Sequence, residues 1–270
     1  GMMDCKKALQ ETGDIDKAID WLRKKGVNTA QKKSSRSASD GLITIQTNKE
    51  SGVIIEINSE TDFVAKNENF QDFSLKIAQH CLKNKISSIE MLSSSKLETG
   101  ISINDELTNI IAKLGENIVI KRLDLLVQKD MFFQKYLHNS VSLNSGKLGV
   151  LMSYSSDKIT NDTEEFSKQI AMHIAATDPK SIDIDSLDKK LVSKEKEIFS
   201  EQLKSSGKPD DIIEKIVEGK VSKFLDEVCL LEQYYVMDTK KKVKNVISEF
   251  NNSKNNNFKI QNFFLYKLGS

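Results

Sequence analysis

Gly52-Val53-Ile54-Ile55-Glu56-Ile57-Asn58 runs into Ser59-Glu60-Thr61-Asp62-Phe63-Val64-Ala65-Lys66-Asn67, and a segment with Phe70, Phe73, Ile77 and Cys81 follows. Together these three pieces set the architecture. The apolar run at 53–57 has the length and β-branched content of a buried strand. The spacing of Phe70, Phe73, Ile77 and Cys81 is that of an amphipathic helix facing a core. A strand handing over to a helix places the chain in the α+β class. Between the two, an acid, Asp62, stands beside a bare aromatic, Phe63. A loop fixed at both ends by regular structure is firm enough to press on a partner. The competing expectation is that Phe63 and Val64 fold into the local core.

Outward from this stretch, Leu42, Ile43 and Ile45 make a first strand, joined to 52–58 through Thr47-Asn48-Lys49-Glu50-Ser51 as a hairpin. A second helix over about 103–114 carries Leu107, Ile110, Ile111 and Leu114 on one face, with Gly115 as its cap. A further strand starts at Ile118. The same plan then recurs. Gly149-Val150-Leu151-Met152-Ser153-Tyr154 echoes the strand at Gly52, and Phe166–His173 echoes Phe73–His80 as F-S-x-x-I-A-x-H. Val243, Val246, Ile247 and Phe250 repeat the spacing at 107–114, and a last strand covers about 258–268. Three elements matching in one order mark a duplicated unit. From strand glycine to helix phenylalanine is 21 positions in the first copy (73 − 52) and 17 in the second (166 − 149). The four extra residues fall at Thr61–Asn67, in a loop that the scaffold itself does not need.

The second copy is interrupted at about 182–226. Leu187, Leu191, Ile198 and Leu203 lie along one helix, Ser205-Ser206-Gly207-Lys208-Pro209 turns the chain, and Ile212, Ile216, Val217, Val221 and Phe224 return on another. This predicts an antiparallel helical hairpin that must pack on the core, on a second copy of the chain or on a partner. At the other end, residues 2–25 predict two short helices lined by Met3, Ala8, Leu9, Ile15, Ala18, Ile19 and Leu22. Gly26 is expected to stop the second, and residues 27–40 read as a flexible, basic connection. Such a helix pair is too small to enclose a core. Either it docks elsewhere or a further helix precedes it. The resulting division is 1–26, 27–40, 41–129, 130–181, 182–226 and 227–270.

Forty basic against thirty-nine acidic residues leave a net charge of +1, which argues against a phosphate backbone as the main partner. No apolar run reaches the ~20 residues needed to span a bilayer. Cys5, Cys81 and Cys229 are far apart in apolar patterns and read as reduced core residues of a cytoplasmic protein. His80 and His173 read as core or helix-end residues at equivalent repeat positions, whereas His138, in Tyr136-Leu137-His138-Asn139-Ser140, reads as loop-borne. The sequence has no H-E-x-x-H, C-x-x-C, G-x-S-x-G or G-x-x-x-x-G-K-[ST] pattern. These features predict a binding protein, not an enzyme, with no metal and no cofactor of its own. Binding to another protein, association with RNA or the ribosome through the basic connection, and self-association through the helical hairpin all remain open on these residues.

The collected motifs resemble the bacterial elongation factor Ts family. Gly1–Leu9 (G-M-M-D-C-K-K-A-L) and Thr61–Asn67 (T-D-F-V-A-K-N) match its signatures, and so do Gly115-Glu116-Asn117-Ile118 and Ala171–Ala176. Ser206-Gly207-Lys208-Pro209, Ile216–Lys220 and Cys229–Gln233 match in family order as well. The resemblance implies a UBA-like helical module, two repeated α+β core subdomains and an inserted coiled-coil hairpin. It implies a nucleotide exchange factor for the GTPase elongation factor Tu, which itself holds GDP or GTP and magnesium. Thr61, Asp62, Phe63 and Val64 would form the partner-binding tip, with Asp62 and Phe63 beside the partner's magnesium site. His138 would be a second contact, and Met2, Met3 and Asp4 would touch the nucleotide domain. A homodimer through the core or the hairpin is a further expectation. The helix that the family places before Gly1-Met2-Met3 is expected to be missing, and the chain departs from the family in Tyr234-Tyr235 where relatives read Pro-Phe and in a longer loop after His138.

Overall fold

The computed structural model describes residues 2–204 and 209–270. The chain forms two compact units, the first of Gly1–Lys129, Leu137–Leu151 and Tyr266–Ser270, the second of Asp130–Tyr136 and Met152–Leu265.

The first unit opens with helices α1 (Met2–Thr12) and α2 (Ile15–Lys33), then strands β1 (Asp40–Thr47) and β2 (Ser51–Ser59). Helices α3 (Asp62–Ala65), α4 (Glu68–Asn84), α5 (Ile89–Ser93) and α6 (Ile103–Leu114) follow, and then strand β3 (Ile118–Val127). β2 lies antiparallel between β1 and β3 along its whole length. Every one of its residues is buried, because both of its faces are covered. Val53, Ile55 and Ile57 face Phe70, Phe73, Ile77 and Cys81 of α4 in one apolar cluster. On the opposite face Glu56 is wholly buried, and Arg122 Nε donates to it at 2.7 Å. The β1–β2 turn is set by Asn48, whose side-chain oxygen accepts from the backbone amides of Glu50 (2.9 Å) and Ser51 (2.8 Å). Gly41 is required where it pairs with Asn58, since its φ is +132° and a Cβ would lie 2.1 Å from the Ile57 carbonyl oxygen.

The N-terminal helices differ from the sequence expectation in three ways. α2 does not stop at Gly26 but continues to Lys33, so the first part of the expected flexible connection is helical. Tertiary packing outweighs the ~1 kcal/mol helix penalty of glycine. Gly26 is buried against α6, with Thr108 and Ala112 closest to where its Cβ would be. Beside it Arg23 donates to both carboxylate oxygens of Asp105, at 3.0 and 2.9 Å, and Lys33 reaches the Gly115 carbonyl. Second, Met3, Leu9, Ile15 and Ile19 do not line a core but are exposed, and of the expected apolar residues only Ala8 and Ala18 are buried. Third, Cys5 is exposed, while Cys81 and Cys229 are buried free thiols. Burial pushes the Cys81 thiol up to about 12.

Strands β4 (Phe132–Ser140) and β5 (Ser145–Ser155) contribute residues to both units. The second unit continues with helices α7 (Asn161–Thr177), α8 (Lys189–Lys204) and α9 (Asp210–Val228). The short strands β6 (Tyr234–Tyr235) and β7 (Asp238–Lys242), helix α10 (Val243–Lys254) and strand β8 (Lys259–Lys267) complete it. Its centre is aromatic. Phe166 stacks on Phe250 at 4.1 Å, and Phe258 meets Phe166 edge-on at 5.1 Å and Tyr154 at 4.9 Å. The repeat is visible in burial: Phe166, Ser167, Ile170, Ala171 and His173 are buried on α7 as Phe73, Ser74, Ile77, Ala78 and His80 are on α4. Both helices also end on a left-handed residue, Lys85 (φ 53°) and Asp178 (φ 51°). Both histidines have core roles. His80 bonds Ser95 Oγ at 2.9 Å, and His173 bonds Gln233 Oε1 at 3.0 Å and accepts from the Val236 amide at 3.3 Å. Burial lowers the pKa of each. α8 and α9 pack on each other, with Lys220 over the Phe199 ring at 5.2 Å, while Ile198 and Ile212 stay exposed. The expected turn at Ser205–Lys208 lies outside the described residues.

Removing the most enclosed ring of the first core should be costly. Phe70 is fully buried between α4 and the sheet, so Phe70→Ala is expected to lose about 3–5 kcal/mol, read as a lower midpoint in urea denaturation at unchanged slope.

Candidate partner-binding tip

α3 is a single helical turn of four residues, far below the length at which a helix holds itself. Its order comes from its neighbours. Thr61 is the N-cap, its hydroxyl oxygen accepting from the Val64 amide at 3.4 Å. Ser59 Oγ donates to the Thr61 carbonyl at 2.9 Å, fixing the exit from β2. Val64 and Ala65 turn inward and join the cluster of Phe70, Phe73 and Ile77. With one side of the turn anchored this way, Phe63 has nowhere to pack and is 80% exposed. The competing expectations therefore divide: Val64 goes to the core and Phe63 to the surface. Val64 is thus part of the core cluster, whereas the resemblance groups it with the tip.

Asp62, beside Phe63, is about half exposed, and Lys66 Nζ donates to its Oδ2 at 2.8 Å, one turn along. That bond, followed by the charges of Lys66 and Lys147, holds the Asp62 carboxyl below the usual carboxylate range. The tip therefore presents an ionised acid with a cation folded over it, next to a bare ring.

Two loops lock together behind the tip. Thr61 donates both its amide and its hydroxyl to Glu116, at 3.0 Å to Oε2 and 2.7 Å to Oε1. In return the Asn117 amide donates to Glu60 Oε1 at 2.6 Å, and Asn117 Nδ2 donates to the Arg36 carbonyl at 2.7 Å. Arg36 also pairs with Glu60 Oε2 at 3.4 Å. The Asn117 amide, ahead of the Arg36 charge, holds the Glu60 carboxyl below its ordinary value. These partners are 55 and 57 residues apart in sequence. No local pattern encodes the pairing, and the Gly115-Glu116-Asn117 motif is its one sequence signal.

The remaining expected site residues lie on other elements. His138 is exposed on β4, in extended structure rather than the expected loop. Its carbonyl oxygen lies 2.9 Å from where a Cβ on Gly146 would stand, and Gly146 pairs with Ile43 of β1. Met2 and Met3 are exposed on α1, and Asp4 pairs with Lys25 of α2, which lowers its pKa. Thr61, Asp62, Phe63 and Glu116 thus form one hydrogen-bonded constellation, while His138 belongs to β4 and Met2, Met3 and Asp4 to α1. Among the described residues no three His, Cys, Asp or Glu side chains are arranged to hold a metal ion, and no helix is long and apolar enough to cross a membrane.

A family model described as Elongation factor TS matches residues 60–270. The chain is similar to the elongation factor Ts of Rickettsia felis, 44% identical over 271 residues that cover 100% of this chain and 87% of the relative. It is 43% identical to that of Rickettsia bellii with the same coverage. Identity to that of Rhodospirillum centenum is 41%, covering 100% of this chain and 88% of the relative.

The lowered pKa of Glu60 has a definite sign for stability. A carboxylate held below its unfolded value of 4.5 stabilises the fold above that pH, and the contribution is lost as pH falls through the folded value. Thermal midpoints followed from neutral pH to below 4.5 should therefore drop less steeply for Glu60→Gln than for the parent chain.

Proposed function

This chain belongs to the elongation factor Ts family, and on that premise we propose that it promotes GDP release from a translational GTPase of the elongation factor Tu type. It does so in the cytoplasm, with no covalent step of its own, and the nucleotide and magnesium belong to the GTPase. The observation that carries this reading is the 80% exposure of Phe63 on a helical turn whose other side is anchored in the core.

A GTPase holds its nucleotide through Mg²⁺ and backbone amides around the phosphates. A protein lowers that affinity only by binding the nucleotide-free form more tightly. The coupling is reciprocal, so the nucleotide in turn expels the protein. Moving an equilibrium from 1:99 to 99:1 takes roughly 5.5 kcal/mol of differential binding. Seating the Phe63 ring in an apolar slot supplies about 1.5–3 kcal/mol. The ring therefore acts as a wedge within a broader contact, to which His138 and the exposed Met2 and Met3 are the natural additions. Asp62 arrives ionised, with its charge shielded by Lys66. Turning Lys66 aside exposes that charge to the magnesium environment of the partner, where it competes with the phosphates.

Phe63→Ala removes the wedge and leaves the anchored side of the turn intact. Stopped-flow release of fluorescent GDP from the GTPase is expected to slow roughly tenfold, the equivalent of about 1.4 kcal/mol. Release at the parent rate would overturn the reading.

A further inference from the structure

We propose that Glu116, with Glu60 as its counterpart, is a positioning residue for exchange: the crossed pair of carboxylate bonds sets the direction in which Phe63 points. The proposal rests on the reading of Phe63 as the wedge. A one-turn helix cannot hold its own orientation, and Val64 and Ala65 anchor only one side of it. Glu116 supplies what is missing at the N-cap. By accepting the Thr61 hydroxyl at 2.7 Å, it directs the hydroxyl hydrogen away from the helix and leaves the oxygen free to accept from the Val64 amide. By accepting the Thr61 amide at 3.0 Å, it fixes the backbone immediately before Asp62.

One such contact would still allow the segment to swivel. The return bond from the Asn117 amide to Glu60, at 2.6 Å, joins the neighbouring residue of each loop in the opposite sense and removes that freedom. Asn117 is itself buried, and Glu116 follows directly on Gly115, whose left-handed φ of 76° ends α6. The start of α3 is thereby clamped to the end of a packed helix. Neither glutamate needs to touch the GTPase. Their contribution is preorganisation: an aromatic held in its working direction loses less freedom on docking.

The test is a double-mutant cycle on GDP release, with thermal melting as the control for folding. Glu116→Ala is expected to slow exchange roughly threefold to tenfold, the range of a lost N-cap, with a melting midpoint close to the parent. Glu116→Gln should recover part of the rate, since its one amide oxygen still accepts from the Thr61 amide while its nitrogen cannot accept the hydroxyl. In a Phe63→Ala background, Glu116→Ala should change the rate by less than about twofold, because its effect runs through the ring. Should Glu116→Ala not fold, Thr61→Val carries the test and is expected to reproduce slow exchange in a folded chain. An equal loss from Glu116→Ala with and without Phe63 would overturn the proposal. So would parent-rate exchange by Glu116→Ala when Phe63→Ala alone is slow. Parent-rate exchange by Phe63→Ala would instead remove the wedge, and the latch with it.

Discussion

The first unit depends on one constraint: β2 is hydrogen-bonded on both edges and covered on both faces. Such a strand can shift neither register nor tilt without exposing a whole row of isoleucines and valines. Its end at Ser59 is consequently fixed, and whatever the chain carries next leaves from a fixed point. That is why a four-residue turn can offer an aromatic ring to solvent without collapsing onto its own core. The buried Glu56–Arg122 pair belongs to the same constraint. Arg122 also donates to the Lys267 carbonyl at 3.0 Å and lies over the Tyr266 ring, so the last residues of the chain are tied to β2 as well.

Duplication and elaboration can be separated residue by residue. α4 and α7 bury the same F-S-x-x-I-A-x-H pattern and end on the same left-handed cap. The two copies part company before these helices. In the first, Asp62–Ala65 form an extra turn ahead of α4. In the second, β5 ends at Ser155 and α7 begins at Asn161, with no helix between. The added turn gives Val64 and Ala65 to the core and leaves Phe63 outside it, so the stability of a protruding contact is supplied by its neighbours and the ring is free to stay unburied.

Much of this was legible in the sequence because it depended on local periodicity. The continuous apolar run of β2, the helical spacing of Phe70, Phe73, Ile77 and Cys81, the glycine cap of α6 and the internal repeat each announce themselves within a few residues. The N-terminal helices were not legible in the same way. Gly26 and the polar residues after it look like a stop and a connection, and only α6, some eighty positions later, turns them into helix through Arg23–Asp105 and the packing at Gly26. The candidate site divides along the same line. The Thr61-Asp62-Phe63-Val64 motif is conspicuous, but that Val64 points inward depends on the depth of the core beneath it. The Glu116–Thr61 and Glu60–Asn117 bonds likewise belong to tertiary structure alone.

The repeat has duplicated a weakness along with a scaffold. His80 and His173 stand at the same step of their two helices, and burial keeps each imidazole less basic than the free side chain at 6.5. As pH falls from 6.5 through their lowered folded values, the unfolded chain takes up protons that the folded helices resist. Mild acid therefore works against both repeats through the same kind of buried imidazole.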